Sequence, residues 1–239
     1  MEELKILYED NHIIVIDKPQ NIPVQADISG DKDVLNMIKD YIKVKYSKPG
    51  EAYVGLVHRL DRPTGGVMVF AKTSKAAARL SESMKEGDFD KRYFAVVCSE
   101  PRVKQDRLVH YLKKNPATNV VMPVPQLTEG AKRAVLNYKI IGSERKGVSL
   151  AQVDLDTGRS HQIRVQMSTI GCPVFGDVKY GGDKIAKGYN LSLYAVSLKF
   201  THPVTKQRMV FIAYPPMEEM PWRLFETEIE KNLAIAKPE

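Results

Sequence analysis

The 239-residue sequence predicts an α+β fold, one domain on a mixed, mainly antiparallel sheet with flanking helices. Two observations carry this. Strand-type runs outnumber helical ones, and neighbouring strand runs are often joined by short polar turns rather than by crossover helices. No long linker, low-complexity tract or internal repeat interrupts them.

The elements follow in order. "LKILYEDNHIIVIDKP" reads as strand, turn, strand, with Asp10-Asn11 turning. "DVLNMIKDYIKVKY" places Val34, Leu35, Ile38, Tyr41 and Ile42 at helical spacing behind Asp33, a suitable N-cap. In "GLVHRLDRPTGGVMVFAKT", Pro63, Gly65 and Gly66 form a turn and Val67–Ala71 a buried strand. "TSKAAARLSESMKEG" is a helix capped by Thr73 or Ser74, with Ala76, Leu80 and Met84 on one face and Gly87 at its end. "RYFAVVC" is another strand. From Pro101 to Ala131 the chain is polar and proline-dotted and reads as irregular, with Lys104, Arg107, Lys113 and Lys114 making it basic. "RAVLNYKII" and "GVSLAQVDL" are strands around a Gly142–Gly147 turn. "GRSHQIRVQMSTIG" is a helix with Ile163, Met167 and Ile170 in phase, stopping at Gly171, and "LYAVSLKF" and "RMVFIAY" close the sheet.

Charge narrows the function. The net charge is +7; from Met217 onward six acids face three bases, which leaves +10 on the first 216 residues. The expected division is therefore a basic body, residues 1–216, and an acidic C-terminal tail or helix, residues 217–239, a balance suited to a polyanionic partner. Apolar runs are too short to span a bilayer, which takes roughly 20 residues. The acidic N-terminus lacks a signal-peptide pattern, and Cys98 and Cys172 share no motif spacing, so a cytoplasmic, reduced protein without membrane contact is expected. His12, His58, His110, His161 and His202 are scattered outside any metal-binding pattern, and no phosphate loop, dinucleotide fingerprint or nucleophile elbow is present.

Three polar clusters remain, each at the edge of an apolar element: "HRLDRPTGG", "KRYFAVV" and "TGRSHQIRVQ". Taken singly, Asp61 could be a solvated turn residue, Tyr93 a half-buried strand aromatic, His161 a cap and Arg164 half of a structural ion pair. In order, the motifs His58-Arg59-Leu60-Asp61-Arg62-Pro63-Thr64-Gly65-Gly66, Lys91-Arg92-Tyr93-Phe94-Ala95, Thr157-Gly158-Arg159-Ser160-His161-Gln162-Ile163-Arg164 and Gly176-Asp177-Val178-Lys179-Tyr180-Gly181 resemble the RluA-type pseudouridine synthases, from about Ile6 to Pro215. The resemblance is to the form without the small N-terminal RNA-binding domain. Two positions depart from it: Gly65 stands where the family usually has Ser, and Gln166 where it often has His.

The resemblance implies the pseudouridine synthase fold over residues 1–216 and isomerisation of uridine to pseudouridine in structured RNA, a large-subunit ribosomal RNA or transfer RNA stem-loop, by a monomer with no cofactor and no metal. It assigns Asp61 as the essential carboxylate, either nucleophile at the anomeric carbon or base at ribose carbon 2. Arg164 becomes its cationic partner, and Tyr93 the side chain that packs on the base and serves in removing the carbon-5 proton. Arg59 fills the space left by the flipped uridine, and His58, Arg62, Thr64, Arg159, His161 and Gln162 join it as substrate-binding residues. Two rivals stand beside this reading. A non-catalytic RNA-binding or ribosome-assembly factor could retain the fold; a glycosidase would need a second carboxylate near the first, which no motif supplies.

Overall fold

The computed structural model describes residues 4–234 apart from 28, 48, 145, 146 and 185. In chain order the elements are β1 (Lys5–Glu9), β2 (Ile13–Lys18), α1 (Val34–Lys45), β3 (Gly55–Leu56), β4 (Gly65–Ala71), α2 (Ser74–Lys85), β5 (Asp90–Val97), β6 (Gln105–Asn115), β7 (Val120–Val124), β8 (Lys132–Glu144), β9 (Val148–Leu155), α3 (Gln162–Thr169), β10 (Leu193–Thr201), β11 (Arg208–Ile212) and α4 (Glu226–Ala234), with 3-10 turns at Gly182–Lys184 and Trp222–Phe225. The chain divides by packing into two units. One comprises residues 4–90 with Ala195–Ala213; the other comprises Lys91–Tyr194 with residues 214–234.

In the first unit β2 is buried along its whole length and pairs antiparallel with β1 and β4, while β3 adds to β4 and β11 to β10. Continuous apolar runs fit strands covered on both faces. Asp10 makes the β1–β2 turn by accepting from the amides of His12 and Ile13 at 2.7 and 2.8 Å. Asp33 caps α1 by accepting from Asn36 N, and Thr73 caps α2 by accepting from Ala76 N. Beside β10, Gly66 has φ +118°, and a Cβ there would lie 2.2 Å from the Ala195 carbonyl oxygen. Only glycine satisfies both the angle and the approach.

In the second unit β5, β9, β8, β6 and β7 lie side by side, each neighbouring pair antiparallel. The irregular stretch expected between Pro101 and Ala131 is instead largely the β6–β7 hairpin. Leu108, Leu112 and Val121 supply its buried side, and the lysines between them face solvent. Pro123 sits in β7, the outer strand, where a missing N–H is tolerated. Within the stretch from residue 217, expected as an acidic tail or helix, Trp222, Phe225, Ile229 and Leu233 are buried, and Glu226 and Glu230 of α4 are exposed. The α+β class and the predominance of antiparallel pairing are as the sequence predicts.

Candidate active site

The first unit carries the Asp61 turn. The amide of Thr64 donates to the Asp61 carbonyl at 2.9 Å, closing a four-residue turn just before β4. Three successive carbonyls of this turn accept side-chain hydrogen bonds from the end of β2. Lys18 Nζ donates to Arg62 O at 3.1 Å and Thr64 O at 2.9 Å, and Gln20 Nε2 donates to Pro63 O at 2.9 Å. The Asp61 residue itself is half-buried. His58 Nε2 accepts from Val69 N at 3.1 Å, so this ring ties the approach to the turn onto β4.

Arg62 is exposed and engaged with residues between 21 and 31. Its Nε donates to Asn21 O and its NH1 to Ser29 Oγ, and its guanidinium forms ion pairs with Asp27 and Asp31. The Thr64 side chain is buried, with its hydroxyl lacking a hydrogen-bond partner among the described residues. Arg59 is exposed, and among the described residues it makes no hydrogen bond or ion pair.

The second unit carries Tyr93 and Arg164. Tyr93 lies on β5 opposite Val153 and is only 8% exposed. Its neighbour Arg92 grips Asp154 through Nε and NH2 at 2.7 and 3.2 Å, and burial pushes the Lys91 ammonium down. Arg164 is in the first turn of α3, 5% exposed, and forms a two-pronged pair with Asp177: Nε to Oδ2 and NH2 to Oδ1, both 2.8 Å. Asp177 also accepts from the amides of Lys179 and Tyr180. The Arg164 guanidinium lies over the Tyr180 ring, 5.1 Å from its centre. The Tyr180 hydroxyl meets His161 Nδ1 at 2.6 Å and accepts from Val121 N. His161 holds a left-handed backbone, φ +51°, at the start of α3.

Gln162, expected at the substrate, is buried. Its Oε1 accepts from Thr157 Oγ1 and Arg159 N, and its Nε2 donates to Val135 O, so the amide braces the loop that presents Arg159. Arg159 is exposed, donating through Nε to Arg133 O. With Lys114, Lys132, Gly158 and Ser160 it lines a cleft of about 310 Å³. Gln166 is fully buried among Leu108 O, His110 and Ala134 O.

Lys18, Gln20 and Asp177 had no role in the sequence reading. The DKP and GD pairs stood in the sequence, but only the hydrogen bonds show what these side chains hold. Among the described residues no group of three or more His, Cys, Asp or Glu side chains could hold a metal ion, and no helix is long and apolar enough to cross a membrane.

The first unit thus presents a pinned aspartate turn, and the second a strand tyrosine and a buried arginine–aspartate pair, on elements of an α+β scaffold. Residues 12–169 match the family described as RNA pseudouridylate synthase. The chain is 33% identical over 225 residues to ribosomal large subunit pseudouridine synthase D of Zymomonas mobilis, covering 90% of this chain and 70% of that one. It is 36% identical over 219 residues to the uncharacterized RNA pseudouridine synthase YjbO of Bacillus subtilis, covering 90% and 74%. The solved structure of human RNA pseudouridylate synthase domain containing 4 superposes with a TM-score of 0.74 at 22% identity, covering 95% of this chain and 92% of that one, and shares the fold. The chain belongs to the RNA pseudouridylate synthase family and is an RNA pseudouridine synthase, an isomerase.

Proposed function

We propose that the protein isomerises specific uridines of large-subunit ribosomal RNA, with Asp61 as the reactive carboxylate and no cofactor. The observation that carries this is the turn itself: Asp61 is the one acid in a turn whose next three carbonyls are each held by a side chain. Such pinning suits a group that must meet a reacting atom in one geometry. The names of the relatives supply the ribosomal substrate.

In this reading the N1–C1′ bond of uridine breaks, the uracil turns, and C5 bonds to C1′. The proton leaves C5, and N1 ends as N–H. Asp61 acts as nucleophile at C1′ or as base at ribose carbon 2, and both routes place its carboxylate at the sugar. Tyr93 packs on the uracil and accepts the C5 proton for transfer. Arg164, set by Asp177, supplies positive potential, and exposed Arg59 enters the space that the flipped uridine leaves. The cleft bearing Lys114, Lys132 and Arg159 suits RNA phosphates.

Asp61→Asn tests this. The variant should fold and bind ribosomal RNA but form no detectable pseudouridine. Deleting the gene and mapping pseudouridines across cellular RNA should remove a large-subunit site. A folded Asp61→Asn protein working near the wild-type rate refutes the assignment. A fully active enzyme whose deletion spares ribosomal RNA and depletes transfer RNA sites refutes the substrate.

A further inference from the structure

The cleft of about 310 Å³ in the second unit has two kinds of wall. On β6, Lys114 stands opposite Val121 of β7, and Leu112 stands opposite Lys132 of β8. Two aliphatic and two cationic side chains therefore share one face of three strands. Leu112 and Val121 are 3% exposed and extend the cluster that contains Ala134 and Val165. Arg159 and Ser160, just before α3, complete the lining.

The cations are uncommitted. Among the described residues Lys114 and Lys132 make no side-chain hydrogen bond or ion pair, and Arg159 gives only its Nε, to Arg133 O. No lining residue is acidic, and Asp156, two positions before Gly158, is engaged by Arg107 and Asn137. Cations alone would suit any phosphate. The aliphatic floor adds a surface for the flat face of a base. The volume lies at the low end of the roughly 300–1,000 Å³ of ligand pockets, suited to one nucleotide rather than a duplex.

Neither Tyr93 nor Arg164 lines the cleft, so in the reading above the target uracil lies elsewhere. Lys91 links the two places. It is two residues from Tyr93 on β5 and shares its face, and a Cβ on Gly158 of the cleft would lie 3.4 Å from its Nζ. The Lys91 ammonium is half-buried and has no hydrogen-bond or ion-pair partner among the described residues. A cation held partly out of water without an anion suits an incoming one.

We propose that the cleft is a subsite for an unpaired nucleotide flanking the target uridine: its base lies on Leu112 and Val121 among Lys114, Lys132 and Arg159, and the phosphate joining it to the target meets Lys91. The proposal rests on the placement of the target uracil at Tyr93 given above.

An aliphatic floor meets any base face, so adenine, which is not the reacting base, serves as the probe. The full chain, carrying 13C-labelled leucine and valine methyls, is titrated with pentaadenylate and with an abasic pentanucleotide of the same charge. Pentaadenylate should move the Leu112 and Val121 methyl signals saturably. It should bind about tenfold tighter than the abasic chain, which is what burying about 55 Å² of apolar base surface contributes. Methyl signals that stay still, or that move equally with the abasic chain, overturn the proposal. Ser160→Leu puts a larger side chain in the cleft without adding a ring to stack on, and should cut the tenfold preference to about twofold. A preference that persists there places the base elsewhere and also overturns it. If Ser160→Leu does not fold, the methyl comparison in the wild type decides. Lys91→Met should lower the slope of log affinity against log salt by about 0.7, one phosphate on a single strand; an unchanged slope refutes the phosphate contact. Tyr93→Leu, assayed on ribosomal RNA from cells lacking the gene, separates the two claims. If it is inactive while pentaadenylate leaves the methyls unmoved, the cleft inference alone fails; if it works at the wild-type rate, the placement beneath both fails.

Discussion

Replacing Arg164 by methionine should weaken the second unit by about 3–5 kcal/mol, the usual cost of removing one partner of a buried ion pair. The structure sets where in that range the value falls. Asp177 is 1% exposed and would keep the amides of Lys179 and Tyr180, two of its four hydrogen bonds, while losing both charge-assisted bonds at 2.8 Å. The contact over Tyr180 disappears as well. At about 2–4 °C per kcal/mol for a chain of this size, the melting point should fall by roughly 6–20 °C. The single tryptophan, Trp222, is buried in the same unit, so its fluorescence during urea titration reports that unit's unfolding. Asp177→Ala should cost more, because it also strands two amides. The double variant should fall short of the summed single effects by about 1–3 kcal/mol, since the second removal no longer leaves a lone buried charge. Additivity within about 0.5 kcal/mol, or an unchanged urea midpoint for Arg164→Met, refutes the reasoning.

Two other perturbations probe the first unit. Gly66→Ala should prevent stable folding, losing on the order of 4 kcal/mol or more, because its Cβ would meet Ala195 O at 2.2 Å and N at 2.6 Å from a φ of +118°; a protease-resistant variant melting near wild type contradicts this. Burial alone would raise the carboxyl of Glu9, but hydrogen bonds from Lys45, Lys72, Tyr46 and Tyr41 bring it down to about 2. Because the folded value lies below the ordinary one, its contribution is complete above about pH 5 and is lost as pH falls toward 2. At 1.36 kcal/mol per unit the ceiling is about 3 kcal/mol, or about 1–2 after solvent screening at the exposed Lys45. Glu9→Gln should therefore flatten the acid limb of a stability-against-pH curve, and a limb of wild-type steepness counts against the network.

What the sequence made legible was what local chemistry determines. Asp33 and Thr73 mark helix starts because a short acceptor side chain satisfies a free amide at close range. Val67–Ala71 reads as a strand because its apolar run has turn residues on one side. The β6–β7 hairpin did not read as strand because few of its residues are buried. Leu108 and Leu112 are separated by exposed Val109 and half-buried His110 and Tyr111, and the exposed Lys113 and Lys114 resemble those of a loop. At the site, Asp61, Tyr93 and Arg164 were legible as members of spaced motifs. Their supports were not. Asp177 meets Arg164 from thirteen positions further along the chain, past the end of α3, and Lys18 looks in sequence like any lysine before a proline. Gln162 is engaged with Thr157, Arg159 and the Val135 carbonyl, and Arg62 with residues between 21 and 31, because a polar side chain next to irregular backbone meets unpaired main-chain groups first.

The two buried cations illustrate different ways of keeping a charge out of water, and the difference bears on what each can do. Arg164 is neutralised by a carboxylate, so the pair can in principle be exchanged for apolar side chains at little net cost, and a large effect of each single variant says little about catalysis. Lys18 donates to three carbonyls, its neighbour Pro19 O and the turn's Arg62 O and Thr64 O. An apolar replacement leaves those carbonyls unsatisfied unless the turn moves to find water. Movement of that turn is movement of Asp61.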